Sequence, residues 1–149
     1  MAQVVADVGA LSELNKTMGT LPANSLTLTN QYSYQLRLYA TNVTPDAAGG
    51  DTAATYTQAA GGGYAAIELT GAGVTVANNN PADKRWAEQT FTFTGALTTN
   101  GTIYGYYIVD CNGVLVTSEK AASSFTPATN GDTYKVTPII KLSYGTPAA

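Results

Sequence analysis

The sequence contains no histidine. A Ser-His-Asp or Cys-His mechanism needs an imidazole as its base, so both are excluded, and nearly every zinc site loses its commonest ligand. Cysteine is almost as scarce. Cys111 stands alone, cannot close an internal disulfide, and beside a turn reads as a packed small residue in preference to a nucleophile. Charge is thin: Asp, Glu, Lys and Arg make up 11% of the chain, against about 25% in an ordinary soluble protein. The net charge is −3, and the one adjacent basic pair, Lys84-Arg85, sits beside Asp83. Binding by counterion release needs several Lys or Arg on one face, so no nucleic-acid partner is expected. No apolar run approaches a membrane span, and Met1 to Asp7 has no basic n-region, so the expectation is cytoplasmic synthesis without a membrane partner.

Two tempting motifs fail on spacing. Asp46 and Asp51 lie in the Pro- and Gly-rich stretch Asn42 to Thr52, but they miss the ligand spacing of an EF-hand and no glutamate closes the loop. Gly61-Gly62-Gly63 suggests a phosphate cradle, yet no Lys-Ser or Lys-Thr follows it. The run is read as a flexible or tightly turning link. No metal, cofactor or catalytic residue is therefore expected. Glu68, Glu88, Asp110, Glu119 and Asp132 are available for paired-carboxylate chemistry of the glycosidase kind, but scattered over strands and turns they read as solvated. The chain is read as a non-enzyme.

What is present is β pattern. The stretch from Trp86 to Ser118 holds the only tryptophan and two of the three phenylalanines. In Gln89 to Thr94 aromatic and hydroxyl side chains alternate, which sends Phe91 and Phe93 to one face of a strand and the threonines to the other. Ile103 to Val109 is apolar on both faces, the pattern of a central strand, and Gly105 within it leaves room for a facing ring or a bulge. Asp110-Cys111-Asn112-Gly113 supplies a turn, Val114 to Thr117 returns antiparallel, and Glu119 to Pro127 runs on as an edge.

Taken in order, Val8, Leu11, Leu14 and Met18 fall at helical spacing between a capping Asp7 and a stopping Gly19, which predicts a short N-terminal helix. Strands are expected at Leu26 to Thr29, Tyr34 to Tyr39 with Leu36 and Leu38 inward, Tyr64 to Leu69, Val74 to Val76 and Tyr134 to Leu142. Asn78 to Arg85 reads as a loop, and Pro138 belongs on an edge or at a bulge because it has no N–H to donate. The fold class is all-β: an antiparallel β-sandwich or jelly-roll-like barrel with a short N-terminal helix or arm. The division expected is an arm over 1–24, one β-sandwich domain over 25–144 and a frayed tail over 145–149. A surface of Thr, Ala, Gly and Asn orders cheaply against a neighbour, since these side chains lose less rotamer entropy than Lys or Glu. Trp86 and the tyrosines offer, as a second reading, a platform on which a sugar can stack.

Several segments, in sequence order, resemble a known family. They are Leu36-Arg37-Leu38-Tyr39, Asn42-Val43-Thr44-Pro45, Asp51 to Thr57, Gly63-Tyr64-Ala65-Ala66, Thr90 to Thr94, Ile103-Tyr104-Gly105-Tyr106 and Asn130-Gly131-Asp132-Thr133. The succession is similar to small proteins encoded among the virion structural genes of tailed bacteriophages and cyanophages, and it covers about residues 1 to 142. Val8-Gly9-Ala10-Leu11 resembles the Val-Gly-containing helix with which those proteins begin. The resemblance implies a virion component, a capsid cement or decoration protein on the outside of the capsid whose partner is the major capsid protein. It implies a homo-oligomer, a trimer in preference to a dimer, and brings no catalytic residues. The alternative it implies is a tail or head-fibre component with a host-glycan-binding role. Gly61-Gly62-Gly63 and the Asn78 to Pro81 loop depart from the pattern.

Overall fold

The computed structural model describes residues 34–46, 50–70, 75–77 and 82–142. The helix expected near the N-terminus, the strand at Leu26 to Thr29 and the tail over 145–149 lie outside the described residues. Among the described residues the chain is all-β, with β1 (Tyr34–Tyr39), β2 (Ile67–Leu69), β3 (Thr75–Ala77), β4 (Ala82–Arg85), β5 (Gln89–Thr92), β6 (Ile103–Val109), β7 (Leu115–Phe125), β8 (Thr133–Val136) and β9 (Ile139–Leu142). A 3-10 turn occupies Ala53–Thr55. The strands form a four-stranded sheet in the order β2-β1-β6-β7, a three-stranded sheet β3-β4-β9 and a two-stranded sheet β5-β8. Every pairing is antiparallel. The sandwich-like arrangement follows from which faces are apolar.

Alternation decides the first face of the large sheet. Tyr34, Leu36 and Leu38 of β1 and Tyr106 and Ile108 of β6 share it, because Leu36 pairs with Ile108 and Leu38 with Tyr106. They pack against Phe91 from β5, Val136 from β8, Ile140 from β9, and Trp86 and Phe93 beside β5. Each fully buried Leu, Ile or Phe contributes roughly 1.5–3 kcal/mol relative to exposure. Phe91 and Phe93 are buried while Thr90, Thr92 and Thr94 are exposed, as their alternation predicts. Trp86 lies over the edge of Tyr34, donates its indole N–H to the Thr70 carbonyl at 3.0 Å, and is 3% exposed. The Lys84 ammonium stands 4.9 Å from the Trp86 ring and 5.1 Å from Tyr34; its half-burial lowers the ammonium's pKa.

The second face is closed by a loop. Tyr39, Tyr107 and Val109 meet Tyr56, Val43 and Ala53 from the segment that follows β1. The Tyr56 ring is tilted on Tyr39 at 4.9 Å and stacked on Tyr107 at 5.4 Å. The Tyr56 hydroxyl donates to Asp51 Oδ2 at 2.6 Å and meets Ser118 Oγ at 2.8 Å. Asp51 Oδ2 also accepts the Asp46 N–H at 2.7 Å, so one carboxylate holds both ends of the loop.

Gly105 does what its place in an apolar run suggests. A Cβ there would meet the Glu119 carbonyl and lie 2.6 Å from the Tyr39 hydroxyl, so only glycine admits both the ring and the neighbouring strand. At this point β6 and β7 lose register. Ile103 pairs with Phe125 and Gly105 with Lys120, which leaves Ala121 to Ser124 without a partner residue on β6.

Three expectations are corrected. Asn78 to Arg85 is not all loop, because Ala82–Arg85 is β4, paired on both sides. Its Ala-Asp-Lys-Arg composition carries no β signal, and the pairing is imposed by β3 and β9. The strand read as Tyr134 to Leu142 is two: Pro138 ends the first, and the chain passes from the β5-β8 sheet to the β3-β4-β9 sheet. Pro138 is buried, and its carbonyl accepts the Trp86 N–H at 3.1 Å. Cys111 is not packed but exposed in the β6–β7 turn, where Asp110 Oδ1 takes the N–H groups of Asn112 and Val114 and occupies the inner space.

Candidate functional site

The triple glycine is a tight turn. Gly61, Gly62 and Gly63 all have positive φ, at 81°, 56° and 73°, a run that side chains would strain. The turn faces the chain's own Thr94 to Thr98 segment: Thr94 N–H donates to Gly62 O and Thr98 N–H to Ala60 O, each at 2.8 Å. A Cβ on Gly62 would run into the Gly95 carbonyl. The glycines therefore join two loops of one molecule.

Among the described residues a cleft of about 490 Å³ lies between β7 and β8, floored by Tyr106 of β6 and bounded by Ile139 of β9. That volume is within the roughly 300–1,000 Å³ of small-ligand clefts. Its origin is topological. β7 ends the four-stranded sheet and β8 ends the two-stranded one, so two sheet edges diverge from the turn that joins them. Near that turn Phe125 and Tyr134 bring them together, with ring centroids 5.5 Å apart. Further along, the unpaired stretch from Ala121 carries only small side chains, Ala121, Ala122 and Ser123, and the gap stays open.

The polar groups converge on Glu119. The Tyr106 hydroxyl donates to Glu119 Oε2 at 2.6 Å, so it ties β6 to β7. Burial first, and the bond to Glu119 second, hold the Tyr106 phenol well above its ordinary pKa. The Tyr134 phenol is raised as well, by desolvation and then by the Glu119 charge. Among the described residues the Tyr134 hydroxyl makes no hydrogen bond. The two lysines of the lining are engaged elsewhere: Lys120 Nζ donates to Thr44 Oγ1 at 3.2 Å, and Lys135 pairs with Glu88 at 3.0 Å in the open.

The five candidate carboxylates named from the sequence are dispersed by this fold. Glu119 lies in the cleft, Glu88 is paired with Lys135, and Glu68 is exposed on β2. Asp110 braces the β6–β7 turn. Asp132 takes the N–H groups of Ala128 and Thr129 and the Thr129 hydroxyl, bonds that lower its pKa. Among the lining residues Glu119 is the single acid, so the cleft offers a hydrogen-bonding carboxylate and not a catalytic pair. Trp86 does not serve as a sugar platform: it is core, and its indole N–H is spent on Thr70. Of the two tyrosines lining the cleft, Tyr134 is the one with an open hydroxyl, and its place in Thr-Tyr-Lys-Val does not single it out.

Among the described residues no group of histidine, cysteine, aspartate or glutamate is arranged to hold a metal ion. No helix among them is long and apolar enough to cross a membrane. Comparison with family models, with curated proteins and with solved structures finds no match to this chain.

Proposed function

We propose that this chain is a virion structural protein, a capsid cement or decoration subunit that binds the outside of the assembled capsid through contacts with the major capsid protein. The observation that carries this reading is the surface. With 11% charged residues, the chain presents β strands faced with Thr, Ser and Ala, and such a face can be covered by another protein with little loss of side-chain entropy. The virion assignment rests on the order of segments from Leu36 to Thr133 that resembles phage structural proteins. A subunit that binds the lattice and not the dissociated capsid protein stabilises the lattice by mass action, about 2.7 kcal/mol per site at a hundred times Kd. Assembly as a homo-oligomer, a trimer ahead of a dimer, multiplies weak contacts through effective concentration. The arm over 1–24 supplies part of the contact.

Co-sedimentation tests this. The purified protein is expected to pellet with capsids lacking it and to stay in solution with unassembled capsid protein; equal behaviour in the two would end the decoration reading. Deleting residues 1–20 is expected to abolish pelleting while the β-sheet circular dichroism stays intact. Full binding by that truncation removes the arm from the contact.

A second reading, a tail or head-fibre component that holds a host glycan, is favoured by one observation. The cleft between β7 and β8 carries a carboxylate, an unbonded phenol and small side chains on one open surface. A glycan array with no hit would count against it.

A further inference from the structure

We propose that the cleft between β7 and β8 is a subsite for one neutral sugar residue, with Glu119 and the Tyr134 phenol taking adjacent ring hydroxyls. The inference rests on the glycan reading and gives it a place. A pyranose offers vicinal hydroxyls that both donate and accept, together with apolar C–H faces. The cleft offers the complement. Glu119 spends Oε2 on Tyr106, and Oε1 makes no hydrogen bond among the described residues. A carboxylate oxygen accepts from a ligand hydroxyl in the stronger, charge-assisted class of hydrogen bond. The Tyr134 hydroxyl can both donate and accept. Both groups line the same cleft, Glu119 from β7 and Tyr134 from β8. Ser123 adds a hydroxyl on the β7 wall, while Ala121 and Ala122 leave the volume unfilled.

Charge selects among ligand classes. The lining holds Glu119, Lys120 and Lys135, and Glu88 at 3.0 Å balances Lys135. These four groups sum to zero, so no net charge draws a phosphate or a cation into the cleft, and an uncharged polyol that hydrogen-bonds Glu119 is the class that fits. The Tyr106 bond adds rigidity. It holds Glu119 in one rotamer from inside the core, so little order remains to be imposed when a ligand arrives.

The test is titration of the whole chain with methyl glycosides of glucose, galactose, mannose and N-acetylglucosamine, followed by amide and tyrosine-ring NMR. The expected result is that one glycoside shifts resonances of residues 119–123 and 134–137. Glu119→Gln and Tyr134→Phe should each weaken it about tenfold, roughly the loss of one hydrogen bond, and Tyr134→Phe, which keeps the ring, should do so without a change in melting temperature. A glycoside whose binding is unmoved by both variants, or whose shifts map elsewhere, overturns the cleft assignment and leaves the glycan reading standing. Failure of every glycoside, with no array hit, overturns both. Shifts at 119–123 produced by methylguanidinium and not by glycosides would replace the sugar with a basic side chain of a protein partner.

Discussion

Leu36 and Leu38 on one face of the four-stranded sheet pack among Phe91, Phe93 and Ile108. Tyr39, one residue further along β1, turns to the other face and joins Tyr56 and Tyr107 under a loop. The first face is closed by two further sheets, and its packing is non-directional. The second face is closed by one segment that carries little secondary structure of its own, so its stability depends on where hydroxyls find partners: Tyr56 on Asp51 and Ser118, Tyr39 on the Glu119 carbonyl at 3.4 Å. A strand pattern in sequence sees the first kind of closure. The second needs residues distant in sequence to meet, and alternation does not encode that.

The comparison can be broken by substitution. Phe93→Ala on the first face should cost the most, about 3–5 kcal/mol by chemical denaturation, because it opens a cavity the sheets cannot collapse into. Gly105→Ala should cost about 1–3 kcal/mol or somewhat more, since the added methyl meets the Glu119 backbone carbonyl and the Tyr39 hydroxyl on the second face. A loss under about 0.5 kcal/mol, the range of ordinary surface substitutions, would show that β7 can slide away from β6. Tyr56→Phe keeps both ring contacts and deletes the two hydroxyl partners, and it should cost about 1–2 kcal/mol. If Tyr56→Phe is neutral, the second face is held by rings alone and the contrast between the faces disappears.

The smallest effect is one of pH. Asp51 is held below the usual carboxylate range, first by the Asp46 N–H and then by the Tyr56 hydroxyl. A lowered native pKa adds stability that is complete above the ordinary value, near 3.9, and is lost as pH falls through the native one. Asp51→Asn should therefore flatten the acid limb of the melting-temperature profile. Tyr56 has the opposite sign. Burial first raises its pKa, so its contribution is intact below about pH 10 and is lost as pH climbs through the raised value. Tyr56→Phe should reduce the alkaline loss. An acid limb unaltered by Asp51→Asn would mean that the loop opens without unfolding the sheets.

Much of the first face was legible because period-two alternation in Gln89 to Thr94 and the apolar run Ile103 to Val109 are properties of adjacent residues. Gly105 was legible too, as the one small residue in a run of large ones. β4 was not, since Ala-Asp-Lys-Arg becomes a strand through partners on both sides. The break at Pro138 was half legible: the missing N–H is written in the sequence, the change of sheet is not. The cleft was the least legible. Glu119 looked like one solvated acid among five, and nothing in Ala121 to Ser124 signals that these residues have no partner on β6. Its position depends on where two sheets end.

The pairing of Leu36 with Ile108 also governs how the molecule comes into being. A ribosome that has delivered β1 must go on to make β6 before the central ladder can close, and at roughly 5–20 residues per second the early strand waits for seconds with its edge exposed. Birth of the fold is therefore a late event in synthesis, and a nascent chain halted before Ile103 would be a substrate for chaperones or a seed for aggregation.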